Sequence, residues 1–504
     1  MLKTPLLPCL LIGLFEGFAG LGVEIYAIRV AAIYIGSSTA ITGVILAMLL
    51  VAIALGYWQG GKLCEKMQNK KATLQKAGLV LSVAAFSHAV ACLFQIPAME
   101  ILEKSNVDSL FSAVLVGTMF GIGMAFASAS IPLLTQFLTL NKPKSKNSAL
   151  LAGEYTGVMV AMTTVGSALG STLTPIIMLP DIGLKASLMS FVIMLCMASS
   201  MATALSLREH KPSDNFVGTI KGNVVYCISA LCMVFIFSVT NHTDTGIQTP
   251  TTAWFIIDGT MTGKDNYGHK ARGLTDDPRR TISSCWDVDT QSSCGWYAQL
   301  SVNMANQLNA QHLLYLGGAG MVIPLEYASK HPQSMNTVVD IDEYLPSIVE
   351  ARYLEKPLPS NVHFVAKDAR RYVTTYHDTP YDFALIDVFH GLYVASNVYS
   401  KESLQAIKAS SRHVVANIIA KPSSTHGYTQ SLLATWVSVF GRDSYVITEK
   451  PGQQTVQNMM LCNYPCGDNA KNILSESYFV RDGSTPIHTD NLPVLDQYEY
   501  RNVL

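Results

Sequence analysis

Four features in the second half of the chain could do chemistry together. The apolar run His312–Leu316 leads into Gly317-Gly318-Ala319-Gly320, and carboxylates follow at Asp340, Asp368 and Asp387, each at or just beyond the end of another apolar run. A glycine turn lets backbone approach a ligand where a Cβ would stand in the way. A carboxylate at a strand end can accept both ribose hydroxyl hydrogens, a second can accept from an adenine amine, and a third can lie where a group is transferred. A glycine turn alone is weak evidence, and Ile323 occupies the third glycine position of the dinucleotide fingerprint. A single strand-end acid is commonly a helix cap. All four in this order and spacing read instead as one site for an adenosyl group.

The elements that must position these residues alternate in type. Apolar strands are expected at 312–316, 337–342, 361–366, 382–387 and 413–419, with helices to about 330 and over 343–353. Such alternation implies an α/β doubly wound parallel sheet, whose ligands sit beyond the carboxyl ends of the strands. Residues 241–300 hold Gly, Asp and Thr clusters with short apolar pieces and read as a linker with a small β-rich segment, leaving 301–504 as the α/β domain.

Residues 1–240 differ in kind. Only 14% of the 504 residues are charged, against about a quarter in soluble domains, and the smaller share of them lies in this half. Seven apolar runs, about 6–34, 38–60, 73–95, 109–139, 149–179, 185–206 and 223–240, are long enough to cross a bilayer as helices. The first is too long and too polar for a cleaved signal peptide. Basic residues gather after the second run (Lys62, Lys66, Lys70, Lys71), the fourth (Lys142, Lys144, Lys146) and the sixth (Arg208, Lys211, Lys221), whereas 96–108 carries Glu100, Glu103 and Asp108 against Lys104. The positive-inside rule then puts the N-terminus in the cytoplasm and, after seven spans, the C-terminal domain on the extracytoplasmic face of an inner or plasma membrane of bacterial type. Glu16, Glu24, Arg29, His88 and Glu154 fall within the runs. Ionisable groups there are costly, and they read either as an internal Glu–Arg lock or as an acidic pocket for a cation. A net charge of −1 gives no hint of a nucleic-acid partner.

The same residues carry a family resemblance. The stretch from Leu316 through Gly320 to Pro332 is similar to the glycine loop and helix of the spermidine synthase (polyamine aminopropyltransferase) family, and above all to members in which a multi-helix membrane bundle precedes that domain. Residues 338–343, with Asp340 and Asp342, look like its ribose-binding strand; Lys367-Asp368-Ala369-Arg370 resembles its adenine site; Tyr381 to Asp387 resembles the strand bearing its catalytic aspartate. Trp296-Tyr297-Ala298-Gln299 resembles a Tyr-x-Glu segment beside the amine pocket, and Thr489-Asp490-Asn491-Leu492-Pro493 is familiar from fused members. The resemblance implies Gly317, Gly318, Gly320, Asp340, Asp342, Asp368 and Ala369 as contacts of decarboxylated S-adenosylmethionine or S-adenosylmethionine. It implies Tyr297 and Gln299 as walls of the acceptor pocket and Asp387 as general base, with His390 able to share that role because its ordinary pKa is near 6.5. Three family acids are absent: the glycine loop has Ala319, the Asp-x-x-Asp pattern ends in His390, and the Tyr-x-Glu acid is Gln299. A cationic amine needs carboxylates to replace its lost water.

Three functions follow as expectations: aminopropyl transfer to an amine in polyamine biosynthesis, methyl transfer on the same fold, or a transporter or sensor whose soluble domain only binds a metabolite. The expected partners are the lipid bilayer, a small cationic amine and, as a candidate assembly, a second copy in a homodimer. No metal is implied. Cys285 with Cys294 and Cys462 with Cys466 match no common zinc spacing and read as disulfides, which persist in oxidising compartments.

Overall fold

The computed structural model describes residues 5–35, 39–65, 67–104, 109–141, 148–208, 217–240, 246–262, 267–276, 282–375, 379–480, 485–492, 494, 495 and 498. Lys66, Asp108, Lys142, Lys144, Lys146 and Lys211 lie outside them, as do the side chains of Glu100, Glu103, Lys104 and Lys221. The chain divides into two compact units, Met1–Pro250 and Thr251–Leu504.

The first unit is helical: α1 (Leu6–Ile35), α2 (Thr39–Glu65), α3 (Lys70–Lys104), α4 (Ser109–Ser128), α5 (Ser130–Leu140), α6 (Ser148–Leu173), α7 (Gly183–Arg208) and α8 (Val217–Thr240). Five stretches are long and apolar enough to cross a membrane: Leu6–Ala32, Ala40–Glu65, Lys70–Gln95, Leu110–Leu140 and Ala152–Arg208. The fifth and sixth expected runs lie together in the 57-residue stretch, and the seventh yields a shorter apolar helix, Gly222–Ile236. The 57 residues are not one straight helix: the backbone leaves the helical region at Gly183 (φ +78°, ψ 172°), and Phe18 of α1 meets both Gly170 of α6 and Phe191 of α7, so α7 folds back past α1. Before that turn the coil widens at Thr174–Ile182, where Pro175 and Pro180 each lack an N–H for the helical ladder. Apolar side chains point outward, among them Leu50 and Leu55 on α2, Phe111 and Ile122 on α4, and Val225 and Phe235 on α8. A helix that is apolar all round is made for a core or a membrane, and outward apolar faces favour the membrane.

α1 and α6 meet almost backbone to backbone. A Cβ on Gly17 would lie 2.1 Å from the Thr163 carbonyl oxygen, and one on Gly166 would lie 2.2 Å from that of Leu14. Small residues allow such approach where lipid gives helices no hydrophobic reason to associate. Glu16, Glu24 and His88 are buried, and Glu16 Oε2, Glu24 Oε2 and His88 Nδ1 have no hydrogen-bond partner among the described residues. The Arg29 guanidinium donates to the Thr249 carbonyl at 2.7 Å and to Gln248 Oε1 at 3.4 Å. Glu154 is exposed on α6 rather than turned inward.

β1 (Ile247–Gln248) lies near the end of the first unit. The second unit opens with β2 (Ala253–Thr260), β3 (Lys270–Thr275), β4 (Ser284–Asp287) and β5 (Ser292–Ser293), each antiparallel to the next, and then α9 (Trp296–Gln307). The main sheet is built from β6 (His312–Leu316), β7 (Met335–Asp340), β8 (Val362–Ala366), β9 (Tyr381–Ile386), β12 (Ser411–Ala420), β13 (Tyr445–Thr448), β14 (Gln457–Cys462) and β15 (Lys471–Asn472). Between β9 and β12 the short strands β10 (Phe389–His390) and β11 (Tyr393–Val394) pair with each other. The helices of this unit are α10 (Val322–Lys330), α11 (Leu345–Ile348), α12 (Ala369–Thr375), α13 (Lys401–Ser410) and α14 (Gly427–Phe440).

The main sheet has eight strands in the order β15-β13-β14-β12-β9-β6-β7-β8. β8, β7, β6, β9 and β12 run parallel, as the alternation predicts, but β14 and β13 join antiparallel, so the sheet is mixed rather than all parallel. β6 is nearly all apolar because helices cover both faces. Its neighbours are β7 on one side and β9 on the other, so the chain order reverses there. A crevice opens at such a reversal, beyond the carboxyl ends of the strands.

Candidate active site

The rim of this crevice is assembled strand by strand. Beyond β6, the Gly317 N–H donates to the Val339 carbonyl at 2.9 Å, and the Asp387 N–H donates to the Leu316 carbonyl at 2.8 Å. The glycine turn is thereby sewn to β7 on one side and β9 on the other. Gly317 has φ +97°, and a Cβ there would lie 2.1 Å from the Asp387 carbonyl oxygen. A Cβ on Gly318 would strike Leu345 at 2.8 Å, and one on Gly320 would strike Tyr353 at 2.6 Å and Ser284 at 2.8 Å. Ala319 and Met321 also have positive φ, a conformation side chains resist and which persists where surroundings enforce it.

Asp340 ends β7 and fastens the turn. Its Oδ2 accepts the Gly318 N–H at 2.7 Å and its Oδ1 the Asp342 N–H at 2.9 Å. Burial pushes its pKa up, against the two N–H bonds that pull it down. Asp342 has a different task from the expected ligand contact. It is buried, its Oδ2 accepts the Trp254 indole N–H at 2.7 Å, and its Oδ1 accepts the Tyr344 N–H at 3.1 Å.

Asp368 follows β8. Its Oδ1 accepts the Arg371 N–H at 2.8 Å, capping α12, and its Oδ2 accepts from Asn397 at 3.3 Å. Each oxygen keeps a second lone pair. Ala369 is buried in the hydrophobic cluster beneath. Nearby, Arg370 pairs with Asp490 of the Thr489–Leu492 segment.

Asp387 follows β9 and is the residue with the most altered chemistry on the rim. Burial pushes its pKa up to about 6, and the amide of Asn417, donating to Oδ1 at 3.0 Å, opposes that rise. Asn417 lies in the middle of β12, 2% exposed, and its Oδ1 has no partner among the described residues. Sequence reading passes over it, although one amide inside Val414-Val415-Ala416-Asn417-Ile418-Ile419 is itself a signal, since buried polar groups need partners. Replacing Asn417 by leucine removes the opposing bond, so the Asp387 pKa is expected to rise further. Any acid limb of activity that reports this carboxylate should move to higher pH, and an unmoved limb would separate Asn417 from it.

Tyr297 on α9 donates its hydroxyl to the Ser283 carbonyl at 2.8 Å. Its pKa is raised, first by burial and then by the charge of Asp387, so the two lie within electrostatic reach. Gln299 is exposed, and its amide turns to the Ser293 carbonyl at 3.4 Å instead of joining Tyr297; two residues apart on a helix face different ways. The backbone of His390 is in β10, and its side chain lies outside what is described. The rim therefore runs Asp368, Asp340, Gly317, Asp387 on the consecutive strands β8, β7, β6 and β9. Three strand spacings make it about 14 Å long.

No family model matches the chain. A polyamine aminopropyltransferase of Vibrio vulnificus (strain CMCP6) is 27% identical over 188 residues, 36% of this chain and 61% of that protein. This unit is spermidine-synthase-like. The match spans about three fifths of that curated relative's length. Among solved structures, a probable spermidine synthase from Corynebacterium glutamicum ATCC 13032 is similar with a TM-score of 0.35 and 18% identity, covering 42% of this chain and 80% of that one. Human methyltransferase-like protein 13 in complex with SAH gives a TM-score of 0.27 and 18% identity, covering 41% and 89%. In this spermidine-synthase-like unit the glycine turn, Asp340, Asp368 and Asp387 share one rim, while Asp342 and Gln299 stand away from it.

Proposed function

We propose that the soluble unit transfers an aminopropyl group from decarboxylated S-adenosylmethionine to an amine acceptor. The observation that carries this is Asp387: a carboxylate at a strand end, beside a glycine turn no side chain could occupy, with its pKa lifted to about 6. The adenosine would lie along the rim, adenine toward Asp368 and ribose at Asp340, with the sulfonium arm toward Asp387. The turn fits such a ligand because its Cβ positions are closed to side chains and its backbone is held from both flanks.

In the reaction the acceptor nitrogen forms a bond to the carbon beside the sulfonium. The carbon–sulfur bond breaks, its electron pair stays on sulfur as a neutral thioether, and the proton lost by nitrogen goes to Asp387. Sulfonium is already a good leaving group, so alignment and deprotonation are what remain to the protein. A base with a pKa near 6 is ionised at neutral pH and still able to take a proton. Tyr297, fixed by Ser283 and within reach of the Asp387 charge, shapes the acceptor side.

Methyl transfer from S-adenosylmethionine is the second reading, favoured by Ala319, Gln299 and His390 where the family has acids. Full-length protein given both sulfonium compounds and a polyamine mixture is expected to release methylthioadenosine. Release of S-adenosylhomocysteine alone would decide for methyl transfer, and neither product with any acceptor would sink both.

The soluble unit is assigned to the extracytoplasmic face. The loop charges and two disulfides, Cys285–Cys294 and Cys462–Cys466, support this. On intact cells, a membrane-impermeant maleimide should label a Tyr267→Cys protein, a position 80% exposed; labelling only after the membrane is permeabilised would put this unit inside.

A further inference from the structure

The hairpin of β4 and β5 touches the glycine turn and the helix behind it at separate points. Ser284 on β4 is buried, and its hydroxyl accepts the Gly320 N–H at 2.9 Å. The preceding carbonyl, Ser283, accepts the Tyr297 hydroxyl. Ser293 on β5 donates its backbone N–H to Glu326 Oε2 at 2.8 Å and its hydroxyl to the same oxygen. Glu326 belongs to α10, the helix that follows the turn, and is buried, with its other oxygen on Lys330. Cys285 follows Ser284 and Cys294 follows Ser293, and a disulfide joins them. The covalent link thus sits one residue beyond both grips.

We propose that this disulfide-closed hairpin is a positioning element of the nucleoside site. It holds the turn through Ser284 and α10 through Glu326, so that opening Cys285–Cys294 weakens adenosyl binding. The inference rests on the proposed function, because it concerns the same ligand. Without the disulfide, β4 stays paired with β3, at Leu274–Ser284 and Gly273–Cys285 among other positions, whereas β5 keeps only Trp286–Ser293, Asp287–Ser292 and the Cys294 N–H on the Cys285 carbonyl. A two-residue strand at the edge of a sheet holds register poorly by itself. A shift of β5 would draw Ser293 off the buried Glu326 carboxylate and loosen α10 behind a turn already holding positive φ at Ala319 and Met321.

The test uses the full-length protein in detergent and measures S-adenosylhomocysteine and methylthioadenosine binding by titration calorimetry. A Cys462→Ala/Cys466→Ala background leaves one disulfide for an added dithiol to open. The dithiol gives two electrons and two protons, becomes a cyclic disulfide, and leaves Cys285 and Cys294 as thiols. That background, oxidised, is expected to bind as the parent does; reduced, about tenfold more weakly. Ser284→Ala should show a similar loss with its thermal midpoint lowered by a few degrees, because the buried Gly320 N–H loses its acceptor, and Ser284→Thr, which keeps the hydroxyl, should recover most of the affinity. If the parent binds neither ligand, the proposed function itself fails. If the parent binds and Ser284→Ala binds equally well, the positioning role is overturned, however the cysteine variants behave. Unchanged affinity after complete reduction, verified by the mass of the alkylated thiols, overturns the disulfide's part.

Discussion

Asp387→Asn is expected to lower turnover by about 10²–10⁴-fold, the usual contribution of a general base, while changing adenosyl affinity by less than about threefold. The variant should fold, because the introduced amide can donate to Asn417 Oδ1, which has no partner among the described residues. It should also be more stable at pH 8. In the native fold burial raises this carboxyl from 3.8 to about 6, so its ionised form is disfavoured relative to the unfolded chain. That penalty begins as pH rises through 3.8, is complete above about 6, and is of order 2–3 kcal/mol. The gain should therefore appear in the thermal midpoint at pH 8 and vanish near pH 4. In the parent, kcat/KM should fall tenfold per pH unit below about 6, and that limb should be missing in the variant. Turnover within tenfold of the parent would assign the proton to another group.

Gly317→Ala is expected to abolish measurable adenosyl binding, a loss beyond about 100-fold, and to cost about 2–4 kcal/mol of stability. Two effects add. The backbone has φ +97°, where an L side chain is strained, and the new methyl would lie 2.1 Å from the Asp387 carbonyl oxygen. Relief requires β6 and β9 to part at the Leu316–Asp387 hydrogen bond, which displaces the proposed base together with the turn. Gly441→Ala is the control. It has φ +64° but nothing within 4 Å of the added carbon, so only the conformational cost of about 1–2 kcal/mol is expected, with binding intact. Equal effects at both positions, in calorimetry and thermal unfolding, would mean that strain alone acts at Gly317.

These residues were open to sequence reading to different degrees. The parallel strands β6, β7, β8, β9 and β12 are apolar runs followed by turns, and their alternation with helices is enough to bring Gly317, Asp340, Asp368 and Asp387 to consecutive strand ends. The antiparallel edge was not legible. β13 and β15 have four and two residues, too short for a periodic signal. Asn417 was hidden because its strand otherwise reads as pure core, and Asp342 misled because spacing cannot distinguish a ligand contact from a pin for Trp254. Gln299 shows the same limit: its neighbour Tyr297 points to the site, but the direction of a helical side chain follows from the face it occupies. In the bundle, composition announced the apolar helices, and Pro180 with Gly183 marks where α6 gives way to α7.

The seam between α1 and α6 constrains how the bundle is made. The Ser167 hydroxyl donates to the Gly17 carbonyl across 150 residues of sequence, and Gly17 and Gly166 admit no spacer between the helices. Ribosomes add about 5–20 residues per second, so α1 emerges roughly 8–30 s before its tightest neighbour exists. During that interval the small-residue face of α1 at Gly13 and Gly17 has no α6 to lie against. The seam therefore closes late, when α6 joins helices already made.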